Sequence, residues 1–307
     1  MRVLIVARYK ERGFVPFITQ QVAALEKCGV ECQYFPVKSK GVTGYLKHLK
    51  ALKKAVCEFN PDIVHAHYGL CGLLANLQRR VPVVTTFHGS DINDKKVLPL
   101  SKMAMRLSAW NIFVSKKTID IAKPKKKYSL LPCGIDLSDL QLTDKQEARK
   151  RMHLQADKKY VLFAGAFDNA VKNAPLAKEA VALLNDENVE LLELKGFSHD
   201  EVTLMMCAAD VFLMTSISEG SPQVIKEALA CGCPIVSVDV GDVKERIAGV
   251  EGCTVADRNA EKLALELKNA ISLGKRTEGR AVIIHDNLAN EAIASQLKDI
   301  YNQVSKN

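Results

Sequence analysis

Residues 219–239 of this chain read EGSPQVIKEALACGCPIVSVD, and no other stretch limits the fold so closely. Ser221 is an N-cap residue type, and Pro222 suits the first helical position, where a missing N–H costs nothing. Val224, Ile225, Ala228 and Leu229 recur at helical spacing. Gly232 stands where a helix end takes a left-handed residue, and Pro234 blocks continuation. Ile235, Val236 and Val238 then read as a buried strand. The stretch is thus a loop, a short helix, a stop and a strand in one piece, the punctuation of an α/β protein. A helix starting at Ser221 points unpaired N–H groups and a partial positive charge out of the loop, which suits phosphate. Glu219 precedes the helix and Glu227 lies within it, about 9 Å down the axis from Ser221 at 1.5 Å per residue. A ribose diol fits there with its phosphate at the top. The competing reading is that Glu227 is an ordinary solvated residue on the face of a short helix.

The combined string is more specific than its parts. E-G-S-P-x-x-x-x-E-A-x-A-x-G-x-P resembles the E-x7-E signature of the family 4 retaining glycosyltransferases, which have the GT-B fold. The resemblance implies that Glu227 holds the nucleotide ribose. It implies that Glu219 lies against the donor sugar and its phosphate, with Gly220, Ser221, Pro222 and Gln223 as a backbone cradle.

At 307 residues the chain suits two domains of about 150 each. No apolar run approaches the ~20 residues needed to cross a bilayer. The opening MRVLIVARYK lacks the cleavage site of a signal peptide and reads as a first strand, so a cytoplasmic location is expected. Nine cysteines in a chain this long are not a disulfide scaffold. Cys28, Cys57, Cys71 and Cys207 read as small core residues, and Cys231 and Cys233 lack the C-x2-C spacing of a zinc or redox site. No metal and no disulfide are expected.

Charge is the informative part of the composition. Residues 1–140 hold 23 basic and 10 acidic residues, +13, and residues 141–307 hold 20 and 25, −5, which together give the +8 of the whole chain. The first half is therefore expected to meet something anionic, either nucleic acid or an anionic membrane surface. Nucleic acid fits poorly, because the basic residues lack interleaved aromatics and only 6% of the chain is aromatic. Thr43 to Phe59 reads as one amphipathic helix, with Lys47, Lys50, Lys53 and Lys54 on one face and Tyr45, Leu46, Leu49, Leu52 and Val56 on the other. Those lysines either face water or dock on anionic lipid, with Lys38 and Lys40 adding to the second reading. Lys123-Pro124-Lys125-Lys126-Lys127 is a further basic turn.

The strand–loop–helix–strand order of residues 2–35 opens a nucleotide-binding α/β domain, with Gly13 the only glycine of its first loop. Two polar groups, His65-Ala66-His67-Tyr68-Gly69 and His88-Gly89-Ser90-Asp91, stand at the ends of consecutive strands, where open α/β sheets place their ligands. A lone histidine is more often structural. Two such clusters at successive strand ends are harder to dismiss. D-I-V-H-x-H and T-F-H-G-S-D resemble the corresponding strand ends of family 4, which implies that His88 faces the donor sugar and that Asp91 neighbours sugar or acceptor. L-P-C-G-I-D resembles the family's P-N-G-V-D, with Cys133 in place of Asn. The family's pair of glycines after the first strand has Gly13 as its one counterpart here.

The resemblance implies an N-terminal Rossmann-like domain over 1–140, completed by a crossover helix over about 288–307, and a donor-binding Rossmann-like domain over 141–287. The two would face across a cleft. In the family an Arg at the end of the strand YVLFAGAF and a Lys about six residues on clamp the diphosphate. Lys172 is the Lys, while the Arg position is Ala166.

Such a chain would move a sugar from a nucleotide-sugar donor (UDP- or GDP-linked) to an acceptor, with retention at the anomeric carbon. Lys172 and the N–H groups after Glu219 would meet the charge on the departing diphosphate. Glu219 and His88 would orient the sugar rather than attack it. No Asp-x-Asp pair stands at a strand end, so no metal and no cofactor besides the donor substrate are expected. A lipid-linked or saccharide acceptor in cell-surface polysaccharide or glycolipid synthesis would bring an anionic membrane beside the basic half, at the inner face of the cell membrane. Ala166 and the single Gly13 leave open a non-catalytic nucleotide-sugar-binding subunit, and an epimerase or phosphorylase on the same fold is a second alternative.

Overall fold

The computed structural model describes residues 1–11, 13–125 and 127–306. Its backbone divides into two compact units, Met1–Gly134 with Leu288–Asn307, and Ile135–Asn287. Each is built on an all-parallel sheet.

The first unit runs β1 (Arg2–Arg8), α1 (Pro16–Lys27), β2 (Glu31–Val37), α2 (Gly41–Leu46), α3 (Leu49–Phe59), β3 (Ile63–His67), α4 (Gly69–Asn76), β4 (Val83–Phe87), α5 (Ser90–Asn93), α6 (Leu98–Leu107), β5 (Trp110–Phe113), α7 (Lys116–Ala122) and β6 (Tyr128–Leu130). The strand order is β2-β1-β3-β4-β5-β6. The apolar run VLIVA of β1 is buried on both faces, as a central parallel strand must be. Val3, Ile5 and Ala7 pack on one side against α1. Leu4 and Val6 pack on the other against α2, α3 and α4. Phe87 and Phe113 extend that second side beneath α6 and α7.

The second unit runs α8 (Lys145–Arg151), β7 (Lys159–Phe163), α9 (Ala174–Ala182), β8 (Val189–Glu193), α10 (His199–Ala208), β9 (Val211–Met214), α11 (Gln223–Ala230), β10 (Ile235–Val238), α12 (Val243–Arg246), β11 (Cys253–Ala256), α13 (Ala260–Leu273) and α14 (Gly279–His285). Its strand order, β11-β10-β9-β7-β8, reverses between β7 and β9. The last helix, α15 (Asn290–Ser305), returns to the first unit. Its apolar stripe, Ile293, Leu297, Ile300, Tyr301 and Val304, joins the α1 side of the core. Lys298 Nζ donates to the Cys28 carbonyl at 2.7 Å, and a Cβ on Gly134 would lie 2.5 Å from Asn290 Oδ1 where the helix begins.

Three sequence expectations need correction here. Thr43–Phe59 is two helices, not one, because the chain bends at Lys47 and His48. His48 Nε2 bonds Ser39 Oγ at 3.2 Å and its ring meets Phe35 edge-on, which turns the backbone while Tyr45 enters the core. Leu46, placed on the apolar face by periodicity, is exposed as a result. Cys57 is also exposed rather than in the core, and its sulfur accepts from Arg80 Nη1 at 2.6 Å. Of the basic turn 123–127, Lys126 lies outside the described residues.

Candidate functional site

Open parallel sheets bind ligands beyond the carboxyl ends of their strands, at the point where strand order reverses. In the second unit that point is flanked by β7 and β9, and the loops leaving those strands carry Lys172 and Glu219. Lys172 Nζ donates to Glu219 Oε1 at 2.7 Å, with both side chains about one-fifth exposed. The two loops are tied together beneath the pair. Thr215 Oγ1 donates to the carbonyls of Lys172 and Asn173 at 2.9 Å, and Ile217 N donates to Val171 O at 2.8 Å. Gly165 lets the lysine lie flat across the end of β7, since a Cβ there would come within 2.9 Å of Lys172 Cγ. At Ala166 there is no cation. Lys195, from the loop after the neighbouring β8, pairs instead with Asp168 at 2.6 Å.

The helix of the E-x7-E stretch begins later than its residue types predict. Pro222 is the N-cap and Gln223 the first helical residue, with no side chain capping the first turn. Ser221 does not cap, because its hydroxyl donates to Asp242 Oδ2 at 2.8 Å. Asp242 arrives on the loop after β10, which presses so closely on Gly220 that a Cβ on Gly241 would sit 2.7 Å from the Gly220 carbonyl. Gly241 and Asp242 are functional candidates whose importance local patterns do not show, since the contact spans 21 residues.

Glu227 lies one turn into α11, five residues from the N-cap rather than six, roughly 7.5 Å along the axis at 1.5 Å per residue rather than 9 Å. Burial pushes its carboxyl up, against the pull of His199 and Lys226. Lys226 was not singled out from sequence, yet it is fully buried, with Nζ bonded to Gln223 Oε1 at 2.7 Å. Its charge also acts on Asp242, whose carboxyl is raised chiefly by burial, and Arg246 Nε lies 3.2 Å from Asp242 Oδ2. The underside of the cradle is therefore a buried set of alternating charges.

The carboxyl edge of the first unit's sheet is built differently. His88 follows β4, half-buried, with Phe17 and Tyr68 against its ring. Its Nε2 is 3.0 Å from His67 Nδ1, and its Nδ1 is 3.6 Å from Cys133 Sγ. His67 is fully buried, and its Nε2 has no hydrogen-bond partner among the described residues. An orphaned acceptor is less costly than an orphaned donor, so the network assigns the His67 proton to Nδ1, donating to His88. His88 Nε2 is then an acceptor, and its Nδ1–H points at the weak sulfur acceptor. Of these two contacts the one to sulfur is the weaker. Burial pushes His67 down to about 3 and His65 well below its usual value, so both are neutral. His65 is fixed by Tyr301 of α15 at 2.6 Å and by Thr86 at 2.8 Å.

The Asp91 carboxylate is engaged by backbone N–H groups. It is buried and accepts from the backbone N–H of Gly69 at 2.9 Å, His88 at 3.0 Å and Gly89 at 3.1 Å. Burial raises the carboxyl to about 6 despite those bonds. It ties the ends of β3 and β4 together from beneath. Gly13 closes a tight turn at the end of β1, with φ +103° and reciprocal bonds to Lys10 at 2.9 and 3.0 Å. Beside these loops lies a cavity of about 310 Å³ lined by Arg8, Lys10, Tyr45, Tyr68, Ser90 and Asp91 among others. Tyr68, with φ +73°, joins this cavity to the His88 ring. Such a conformation is strained for a non-glycine residue and is characteristic of ligand sites.

A family model described as "Glycosyltransferase Family 4" matches residues 14–139, and one described as "Glycosyl transferases group 1" matches residues 172–272. A teichuronic acid biosynthesis glycosyltransferase of Bacillus subtilis, TuaC, is 28% identical over 244 residues, 70% of this chain; the match spans 62% of that relative's length. Among solved structures, sucrose-phosphate synthase of Thermosynechococcus elongatus superposes with a TM-score of 0.83 at 18% identity, covering 99% of both chains. HepE of Anabaena, in complex with UDP, gives 0.71 at 16% identity, covering 100% of this chain and 99% of that one. Both likenesses are of fold.

Proposed function

The chain belongs to the group 1 glycosyltransferases of family 4, and from that membership we propose that it transfers a sugar from a nucleotide-sugar donor to an acceptor with retention of anomeric configuration. The second unit holds the donor. The Lys172–Glu219 pair at 2.7 Å, beside the uncapped start of α11, carries this reading. A departing nucleoside diphosphate gathers negative charge at its β-phosphate. Lys172 can exchange its carboxylate partner for that phosphate, and the N–H groups of the first helical turn add fixed donors. Charge of both kinds comes from the protein itself, and the reading needs no metal. Glu227, one turn in, accepts from the ribose hydroxyls, and His88 and Glu219 orient the sugar. No residue is assigned as a nucleophile.

The family's second diphosphate cation is missing at Ala166, so more of the diphosphate's stabilisation falls on Lys172 and the helix start. The UDP named in the Anabaena structure supports a uridine nucleotide as the first donor to try. The name of the Bacillus relative supports an acceptor in cell-surface polysaccharide synthesis. A lipid-linked acceptor would bring the basic first unit to an anionic membrane, and Lys47, Lys50, Lys53 and Lys54 are exposed there. No helix among the described residues is long and apolar enough to cross a membrane.

The test is turnover of a panel of UDP- and GDP-sugars with lipid-diphosphate saccharide acceptors, with NMR of the product. An α-linked donor should give an α-linked product. A β-linked product would refute retention. Nucleotide-sugar binding without turnover of any acceptor would point to a non-catalytic subunit, and altered donor in the absence of acceptor to an epimerase.

A further inference from the structure

The proposed function uses the carboxyl edge of the first unit's sheet and leaves its opposite edge unexplained. There the loop before β4, helix α6 and the turn before β6 carry Arg79, Arg80, Lys102, Arg106, Lys123, Lys125 and Lys127. Two cavities open at that end. One, of about 880 Å³, lies at the amino ends of β4, β5 and β6 and includes Arg79, Arg80, Lys125 and Lys127 in its lining. The other, of about 280 Å³, lies between α6 and α7 and includes Lys102, Arg106, Lys123 and Lys125. They share Lys125, and neither lining contains a carboxylate. Among the described residues no ion pair involves Arg79, Lys102, Lys123 or Lys125, whereas lysines of the second unit such as Lys158, Lys195 and Lys275 each have an acidic partner.

The surroundings are not purely polar. Met103 and Leu107, one turn apart on α6, are 47% and 53% exposed, and Tyr128 and Leu130, on the edge strand β6, are 45% and 39% exposed. Exposed apolar side chains interleaved with cations suit a surface that is anionic at its headgroups and apolar below them. A soluble polyanion would have no use for that apolar rim. The cations also continue toward α3, because Arg80 bonds Cys57 on that helix. The site lies away from the catalytic edge: β4 separates Val83 from His88 by roughly 16 Å at 3.3 Å per residue.

We propose that this face, built from α6, Lys123, Lys125 and Lys127, β6 and the Arg79–Arg80 loop, docks on an anionic phospholipid surface, with headgroup phosphates in the two cavities and Met103 and Leu107 at the acyl boundary. The inference goes beyond the proposed function, rests on its own residues and is measured without donor or acceptor.

The experiment is co-sedimentation of the whole chain with vesicles of phosphatidylglycerol and phosphatidylcholine, against pure phosphatidylcholine vesicles, at low and high salt. Thermal unfolding and nucleotide-sugar shifts of every variant check that fold and donor site are intact. Wild type should bind only the anionic vesicles and be released by salt. R79Q/K125Q/K127Q should lower the partition on the order of 100-fold, since each cation near such a surface contributes about fivefold. M103S/L107S should weaken vesicle binding while leaving binding of inorganic tripolyphosphate unchanged. K50Q/K53Q/K54Q on α3 should cost less than the groove variant. The proposal is overturned if the groove variant binds vesicles like wild type, if the α3 variant alone abolishes binding, or if tripolyphosphate binds and vesicles do not. None of these results bears on the donor site, whose failure would appear in the nucleotide-sugar shifts instead.

Discussion

The carboxyl edges of the two sheets occupy equivalent places in their folds and use different electrostatics. In the second unit the edge is ionic: Lys172 with Glu219 on top, and Lys226, Glu227, Asp242 and Arg246 packed below. In the first unit the ends of β3 and β4 are held by the neutral imidazoles of His65 and His67 and by one carboxylate spent on backbone N–H groups, while Arg8 and Lys10 stand at the end of β1. The ionic edge suits a ligand whose charge grows during reaction, because fixed opposite charges cost no reorganisation at that moment. The neutral histidine cluster suits hydroxyl groups, which need placement more than charge.

The largest effect should come from breaking the ionic edge at its cation. Lys172→Ala should lower kcat about 10²–10³-fold, the range for removing one preorganised donor to a developing anion, with little change in melting temperature. In the first unit the counterpart is a loss of stability. Asp91→Asn sets an amide NH2 against backbone N–H groups it cannot accept from. It should destabilise the first unit by about 2–3 kcal/mol, the cost of leaving buried donors unpaired, seen as a lower melting temperature with donor affinity kept.

Glu227 separates function from stability. Its raised carboxyl means the folded state holds a proton more tightly than the unfolded chain, so the free protein loses stability as pH rises out of the carboxylate range. Glu227→Gln should remove that loss and raise the melting temperature at neutral pH. It should also weaken nucleotide binding by about 10–100-fold, the worth of a hydrogen bond to a charged group. Calorimetry and a melting series against pH read the two effects separately. The last effect concerns His67. With its value pushed down to about 3, the unfolded chain binds a proton below the usual histidine range while the folded state does not. Stability should therefore fall as pH drops from about 6.5 toward 3, and His67→Gln should flatten that slope by a fraction of its depth.

Much of this was legible in the sequence where the cause is local. The buried run of β1, the stop at Gly232 with φ +67°, and the apolar stripe of α15 follow from residue types and spacing alone. So does the order of strands and helices that brings Lys172 and Glu219 to adjacent loops. What was not legible depends on contacts between distant residues. Asp242 takes the Ser221 hydroxyl and moves the start of α11 to Gln223. Ser39 takes His48 and breaks one helix into two. Lys226 reads as a surface lysine on an amphipathic helix, and only the packing of α11 shows it buried. The His67–His88 bond could have been suspected from two histidine clusters at neighbouring strand ends, but its tautomer depends on the surroundings of His67 Nε2.

The central claim is that the ionic edge of the second unit is the nucleotide-sugar site. A thermal-shift screen of UDP- and GDP-sugars on the whole chain, repeated with Lys172→Ala and Glu227→Gln, tests it most directly. At 100 times its dissociation constant the right donor should stabilise the wild-type protein by about 2.7 kcal/mol, with the shift reduced in both variants. No shift with any nucleotide sugar, or a shift that both variants retain in full, would contradict the assignment.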